Sequence, residues 1–504
     1  MKRVIYLFST VWALMAMLTI QSCSDSNSSG RSATRLTVIA PNSIDEIEFL
    51  DFGSTKGSKM IGINTDGDWD VTVSDESWVT VNAHAGYGYK DASRYSWLNV
   101  TVAANPGEPR TATLTITSGG MSKTIAINQV GTNTEDTFEQ AAEFLENVGV
   151  GYNLGNTLES NHDITNPEVQ SWFNPTTPID WETCWGQPET TPEIINAIAE
   201  KGFNVIRVPV TWFPHMDDDD NIDAAWMARV KEVVDMVLAA GCYCIINVHH
   251  DASEYDATRG DGAHWLLADL SQYETISPRF KKLWQQIAEE FQEYDDKLLF
   301  EAVNEIIDET GNWGDPVNED AYVAINKLEQ DFVDVVRATG GNNKYRNLVV
   351  NPYSAGHTKA KLAGFNAPTD IVAGHLLASV HSYDPYNFCN DNGEWNVTAF
   401  DSSAEKEIDE MFDMVDKRFR QELGIPYFYG EFGALDAKNK TTAERVKYAQ
   451  YMVKKFQAYS TTGLWWMNLI NRSDLTTVVK YTGTTGVDDA PIIEALTGWT
   501  APTE

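Results

Sequence analysis

The chain is short of positive charge. Its 504 residues hold 37 Lys and Arg against 73 Asp and Glu, a formal net charge of −36. No basic stretch interrupts that acidity, which argues against nucleic acid as a partner and against charge-driven binding to an anionic membrane surface. A neutral ligand would be indifferent to it. Cysteine is scarce, five in all, and no metal-ligand spacing appears among them. Cys242 and Cys244 stand two apart in a strand pattern, so they face one side, cannot readily bridge each other and read as small core residues. Cys184 and Cys389 lie in loop-like stretches, where a disulfide and two free thiols are both open. No glycine-rich phosphate loop follows the first strand of the α/β region, which disfavours a doubly wound dinucleotide-binding sheet. Long apolar runs are missing except at the very start, over residues 4–20, and that run is too short and wrongly flanked for a transmembrane helix.

That opening run follows Lys2 and Arg3 and meets Gln21-Ser22-Cys23, with Ile20 three places ahead of the cysteine. The arrangement resembles a bacterial lipobox. It implies a signal peptide over residues 1–22, lipidation of Cys23 and a flexible polar tether over 23–34. Residues 35–131 are rich in Thr, Val, Ile, Ser and Gly, in short alternating runs such as WDVTVSD, LNVTVAA, TATLTITSGG and KTIAINQVG. Turn residues separate the runs, the pattern of an all-β, immunoglobulin-like sandwich. A short polar linker covers 132–138.

From 139 to 504 the pattern changes to strands alternating with amphipathic helices. The strand candidates are VGVGYNLGN, FNVIRVPVTW, CYCIINVHHD, LLFEAVNEI, NLVVNPY, LLASVHSYDP, IPYFYGEFG and GLWWMNL. Helical stripes fill most of the gaps, and only the link between the fifth and sixth strands, around His357, is weak as a helix. Eight such units predict a (β/α)8 barrel, whose active sites are built at the C-terminal strand ends.

Those ends carry polar clusters. The first has Asn153, Asn156 and Glu159, and the second Arg207 and then Trp212. The third has His249, His250 and Asp251; the fourth Asn304 and Glu305. The sixth has His381, Ser382 and Tyr383, the seventh Glu431, and the eighth Trp465, Trp466 and Asn468. Packing alone does not explain so many. Two Glu at the ends of two such strands are the raw material of glycoside hydrolysis, one protonating the leaving oxygen and the other attacking the anomeric carbon. Glu301, four residues before Glu305 in one strand, reads as a residue deep in the barrel or in an ion pair. Adjacent His249 and His250 should point opposite ways, which disfavours zinc. The acidic run 217–220 reads as a solvated loop rather than a calcium site.

The motifs GYNLGNTLE, RVPVTW, NVHHD, VNEI, VHSYDPY, YGEFG and LWWMN resemble, in order, those of glycoside hydrolase family 5, and the opening is typical of its subfamily 4. The segment 35–131, with Trp69, Trp78, ANPGEPR and IAINQVG, resembles a BACON domain. A carbohydrate-binding role has been proposed for such domains. Here the outer strand faces show Thr, Ser and Asn without an aromatic row, which favours a spacer. The family resemblance implies Glu305 as acid/base and Glu431 as nucleophile. It implies that Arg207 and Tyr383 hold the nucleophile, that Asn304 binds the sugar 2-hydroxyl, and that His249, His250 and His381 orient carboxylates and substrate. Trp466 would form the floor under the sugar, although strand parity leaves Trp465 open for that place. No cofactor and no metal are required.

The whole arrangement is most similar to surface endo-xyloglucanases of gut Bacteroides. The resemblance implies a monomeric retaining endo-β-1,4-glucanase acting on xyloglucan, joined to the outer membrane by its lipid alone and facing the exterior. A mixed-linkage glucanase or cellulase of the same family is the alternative within the class. A non-catalytic glycan-binding lipoprotein is the alternative outside it, disfavoured because a binder gains nothing from both Glu. Sixteen Trp and twenty Tyr are many for this length; part would pack the core, and part would offer flat platforms for sugars. The insertion 160–190 carries Trp172, Phe173, Trp181 and Trp185, and later loops add Trp212, Trp265, Trp313 and Trp395. All are expected over the catalytic face, with Trp185 and Trp265 at the substrate and Asn156 beside them.

Overall fold

The computed structural model describes residues 33–498, apart from 41–45, 53–56, 132–137, 253–264, 391–394, 436–439, 467–477, 480–486 and positions 91, 93, 94, 104, 106, 108, 312 and 489. The signal peptide, Cys23, most of the tether and Asn468 lie outside the described residues.

Among the described residues, nine strands form the N-terminal sandwich. One sheet orders Leu36–Ile39, Gly57–Thr65, Ser96–Val102 and Val79–Val81; the other orders Phe49–Phe52, Met121–Gln129, Arg110–Ser118, Asp68–Val73 and Ala85–Tyr87. Alternation decides what is buried: in Arg110–Ser118 the even residues Ala112, Leu114 and Ile116 face the core and the Thr between them do not. Trp69 and Trp78 anchor that core, and the Arg110 guanidinium lies 4.3 Å from the Trp78 ring centre. The outer faces are less bare than expected. Trp97, 47% exposed, packs against Tyr95 at 5.7 Å and stands opposite Gly62 on the neighbouring strand.

The eight expected α/β strands close into a parallel barrel, each paired with the next and the eighth with the first. Helices Pro192–Glu200, Ala224–Ala239, Tyr273–Glu290, Asp320–Ala338, Ser402–Asp416 and Thr442–Ala458 surround it, and the α-helix in the link between strands five and six is just the six residues Lys359–Gly364. Local signals set the helix starts: Asp223 accepts from the backbone N–H groups of Ala225 and Trp226, and Asp401 does the same for Ser403 and Ala404.

The barrel interior is layered. At the bottom Val205, Ile245, Leu299, Val349, Leu377, Phe428 and Leu464 meet Ala141, Phe144 and Leu145 of the short helix Ala141–Asn147, which plugs the barrel. Side chains alternate along a strand, so the next inward layer lies two residues on. It holds Asn153, Arg207, Asn247, Glu301, Asn351 and Ser379, six buried side chains all polar or charged, with Gly430 and the partly exposed Trp466 beside them. The change from apolar to polar within one step of two residues marks where packing ends and the site begins.

Candidate active site

The fourth strand ends at Glu301, earlier than the apolar run suggested, and Glu305 lies four residues beyond it in irregular chain. The sixth strand, Leu376–Ser382, keeps strict parity: Leu377, Ser379 and His381 point inward. The seventh, Tyr427–Phe432, does not. Phe428 faces inward, so simple alternation would turn Glu431 outward. The register instead pairs Tyr429 with Val380 and Glu431 with His381, leaving Gly430 as a bulged residue. The bulge rotates Glu431 into the barrel beside His381. A side chain at 430 would not fit, because its Cβ would lie 2.4 Å from Ser379 Oγ.

The two carboxylates converge. Glu305, His381 and Glu431 each bring one nitrogen or oxygen atom into a group spanning no more than 4.8 Å. His381 Nδ1 lies 2.7 Å from Glu305 Oε1 and 3.7 Å from Glu431 Oε1. Tyr383 donates its hydroxyl to Glu431 Oε2 at 2.8 Å, and Arg207 donates to Glu431 Oε1 at 2.9 Å. Arg207 also reaches Asn304 Oδ1 at 2.8 Å, Asn153 Oδ1 at 3.0 Å and Glu301 Oε2 at 2.6 Å, so all three of its guanidinium nitrogens donate. Asn153 in turn donates to the carbonyls of Gly430 and Leu464, tying the bulge to the last strand.

The two Glu differ in exposure. Burial and the Glu305 charge hold the Glu431 carboxyl above its ordinary range, and His381, Arg207 and the Tyr383 hydrogen bond offset them only in part. Glu305 is the more exposed, with a fifth of its side chain open to solvent. Burial alone would lower His381, but the Glu431 and Glu305 charges outweigh it and raise it. His249 goes the other way: burial, then His250, Arg207 and His381, hold it well below the usual value, so it stays neutral. The Glu305–His381–Glu431 trio has the spacing of metal ligands. A guanidinium 2.9 Å from Glu431 already occupies the place of a cation there.

The aromatic expectations divide. Parity settles the eighth strand: Leu464 faces the barrel, so Trp466 does too, and its ring lies parallel to His249 at 5.9 Å. Trp465 is buried outward against Phe432 and Tyr448. The two histidines do not point apart. The third strand stops at Asn247, and beyond it the His249 and His250 rings meet edge to face at 4.5 Å. Trp185 continues this wall, 5.3 Å from His250, with its indole N–H held by the Asn161 carbonyl. Trp265 is held by Asp251 at 2.7 Å and covered by the Arg279 guanidinium at 4.4 Å. Asp251 is fully buried, and burial raises it to about 6.

Two expected platforms are corrected. Trp212 is wholly buried and donates to the Asn247 carbonyl, and Trp181 packs inward against Phe173 and His215. Trp172, Trp313 and Trp395 are the exposed ones. Asn156 occupies a left-handed turn (φ 58°) and donates its backbone N–H to Glu159, which makes Glu159 a brace of that loop. The acidic loop is held by protein groups, Asp217 accepting from Asn221 within it and Asp220 pairing with Arg279 of the helix Tyr273–Glu290. Cys184 and Cys389 are not joined to each other. Asn247 and Asn351 escaped the sequence reading; their signal was position, two residues beyond an inward apolar residue.

Residues 163–472 match the family described as cellulase (glycosyl hydrolase family 5), and residues 68–130 match the N-terminal binding-domain family BACON. Endoglucanase A of Clostridium longisporum is 34% identical over 354 residues, covering 67% of this chain and 64% of that protein. The xyloglucan-specific endo-beta-1,4-glucanase BoGH5A of Bacteroides ovatus is 30% identical over 505 residues, 92% of this chain and 91% of that one. The crystal structure of PbGH5A from Prevotella bryantii B14 superposes with a TM-score of 0.63 at 36% identity, over 72% of this chain and 99% of that one. A mutant of that enzyme was solved with the xyloglucan tetradecasaccharide XXXGXXXG. With the barrel, the paired carboxylates and these matches together, the chain belongs to glycosyl hydrolase family 5 and carries a BACON domain ahead of its catalytic barrel.

Proposed function

We propose that the protein is a retaining endo-β-1,4-glucanase that cuts the glucan backbone of xyloglucan, anchored at the outer membrane by a lipid on Cys23 and facing outward. The observation that carries the reaction is the convergence of Glu305 and Glu431 to within 4.8 Å. Retaining enzymes hold their carboxyls about 5–5.5 Å apart, and inverting enzymes hold them wider to admit a water. Glu431, gripped by Arg207 and Tyr383, attacks the anomeric carbon. Glu305 protonates the departing glycosidic oxygen. Asn304, with its carbonyl fixed by Arg207, offers its NH2 group to the 2-hydroxyl, a contact that tightens in the transition state. Glu305 then takes a proton from the water that releases the sugar from Glu431.

The substrate reading rests on two supports. The relative matched across both domains is xyloglucan-specific. A xylose-decorated chain is also wide, and the exposed Trp172, Trp313 and Trp395 offer stacking surface beyond one row. Endoglucanase A of Clostridium longisporum favours a second reading, a general β-glucanase. Purified plant polysaccharides assayed for new reducing ends separate the two. We expect kcat/KM on xyloglucan to exceed that on carboxymethylcellulose or mixed-linkage glucan by at least about tenfold, roughly 1.4 kcal/mol. Equal or better activity on a linear glucan overturns the xyloglucan assignment. For the anchor, Cys23→Ala should move the protein to the soluble fraction; persistent membrane attachment would point to an uncleaved apolar segment instead.

A further inference from the structure

Beneath the reacting carboxylates the barrel buries two more, Glu301 and Glu329. Glu301 accepts from Arg207 Nε at 2.6 Å and from Asn247 Nδ2 at 2.9 Å on Oε2, and from Asn351 Nδ2 at 3.3 Å on Oε1. Asn351 donates its backbone N–H to Glu329 Oε1 at 2.8 Å, while Glu329 Oε2 has no partner. Burial holds the Glu329 carboxyl well above its ordinary range, and the Glu301 charge adds to that. Glu329 therefore keeps its proton.

One cation thus lies between two buried carboxylates, closer to Glu301 at 2.6 Å than to Glu431 at 2.9 Å. Glu431 otherwise faces His381 and Tyr383 from the sixth strand and its end, and Glu305 from beyond the fourth. We propose that Glu301 is a positioning residue for the nucleophile: it grips Arg207 by Nε, aims the two terminal nitrogens at Glu431 and Asn304, and takes up part of the guanidinium's charge. The inference rests on Glu431 being the nucleophile. Two anions sharing one cation leave each more basic than it would be alone with it. A more basic Glu431 carboxylate is the better nucleophile.

The test is Glu301→Gln. The amide oxygen can still accept from Arg207 and Asn247. Its NH2 group can be accepted by Asn351 Oδ1, which lacks a partner, once that amide turns over. The readout is labelling by 2-deoxy-2-fluoro-β-cellobiosyl fluoride. The bond from the Glu431 oxygen to C1 forms as fluoride leaves, so no proton from Glu305 is needed and the pH profile reports Glu431.

We expect the wild type to be labelled at Glu431. E301Q should be labelled at the same residue, with its acid limb lower by about half a pH unit or more and its rate above the limb reduced about tenfold. Glu329→Gln should leave the limb in place, because that group is already uncharged. Asn351→Ala, which withdraws another donor from Glu301, should move the limb upward, and it decides the matter should E301Q not fold. A limb in folded E301Q that coincides with the wild type, or a limb in E329Q displaced like that expected of E301Q, overturns the proposal. So does an unmoved limb in Asn351→Ala. A wild type that takes no label at Glu431 overturns the nucleophile assignment instead, a distinct result.

Discussion

The sandwich and the barrel bury polar groups of different kinds. Among the described residues of the sandwich, where Lys59, lowered to about 8 by burial, is only half-buried, the buried polar side chains are Asn64, Thr65, Asn105, Ser118 and Gln129, all uncharged. Each has a nearby partner: Thr65 with Ser118 at 2.8 Å, Asn105 with the Val130 carbonyl at 3.1 Å, Gln129 with the Ala103 carbonyl at 2.9 Å. The barrel domain buries charge. Some of it is ordinary architecture, such as Arg229 with Glu182 and Arg337 with Asp370. Only around Arg207, among the described residues, does one buried cation serve two buried carboxylates. Desolvating an ion costs several kcal/mol, and a hydrophobic replacement is often as stable. A domain that needs only to hold its shape can settle its interior with neutral hydrogen bonds. A charge set that packing would not choose marks the place where chemistry is done.

That contrast can be broken. In the barrel, Glu431→Gln should lower kcat on xyloglucan by more than about 10⁴-fold with little change in melting temperature, since the nucleophile is lost outright. Glu305→Gln should cost on the order of 10²–10⁴-fold on the polysaccharide, and far less on an aryl glycoside whose leaving group needs no proton. Steady-state kinetics on both substrates checks the pair; equal losses would mean that Glu305 is not the acid. The sandwich should behave in the opposite way. Trp78→Ala removes a core anchor and should destabilise that domain by about 3–5 kcal/mol while leaving kcat/KM on a soluble oligosaccharide unchanged. Calorimetry with parallel assays reads both.

Smaller effects sharpen the comparison. His215 lies deep in the barrel's shell, stacked on Trp226 at 3.6 Å, and burial lowers it to about 3. A group depressed on folding supports the fold fully above its unfolded value, near 6.5, and loses that support as pH falls toward 3. At pH 4.5 the loss is roughly 2–3 kcal/mol. His215→Phe should therefore be less sensitive to acid than the wild type, a difference that melting curves at pH 7 and pH 4.5 would show. The smallest effect is at Trp185. Replacing it with Ala removes stacking surface of about 1 kcal/mol and should act more on xyloglucan than on linear glucans, narrowing the ratio of their kcat/KM values severalfold.

Much of this was legible in the chain. Eight apolar runs with helices between them gave the barrel, and the motif at each strand end gave Glu305, Glu431, Arg207, His381 and Tyr383. Two kinds of feature were hidden. The first is register. Alternation predicts Trp466 inward once Leu464 is known to face the plug, but nothing in YFYGEF announces that Gly430 is skipped and Glu431 turned in. The second is the fate of loop aromatics. Trp212 and Trp185 look alike in sequence; one fills a wholly buried site and the other lines the histidine wall. Packing of distant segments decides that, and periodicity carries no trace of it. The polar layer lay between the two cases: Glu301 was legible as a residue deep in the barrel or in an ion pair, and it is both, whereas Asn247 and Asn351 were missed although their two-residue offset made them readable in principle.

The most direct test of the two-carboxylate account is the configuration of the first-formed product, followed by proton NMR as the enzyme cuts a xyloglucan oligosaccharide. Carboxyl oxygens within 4.8 Å leave Glu431 to attack directly, so the reducing-end signal of the β-anomer should appear first and the α-anomer only later, by mutarotation. An α-anomer present from the first spectrum would contradict it, because water and not Glu431 would then have attacked the sugar.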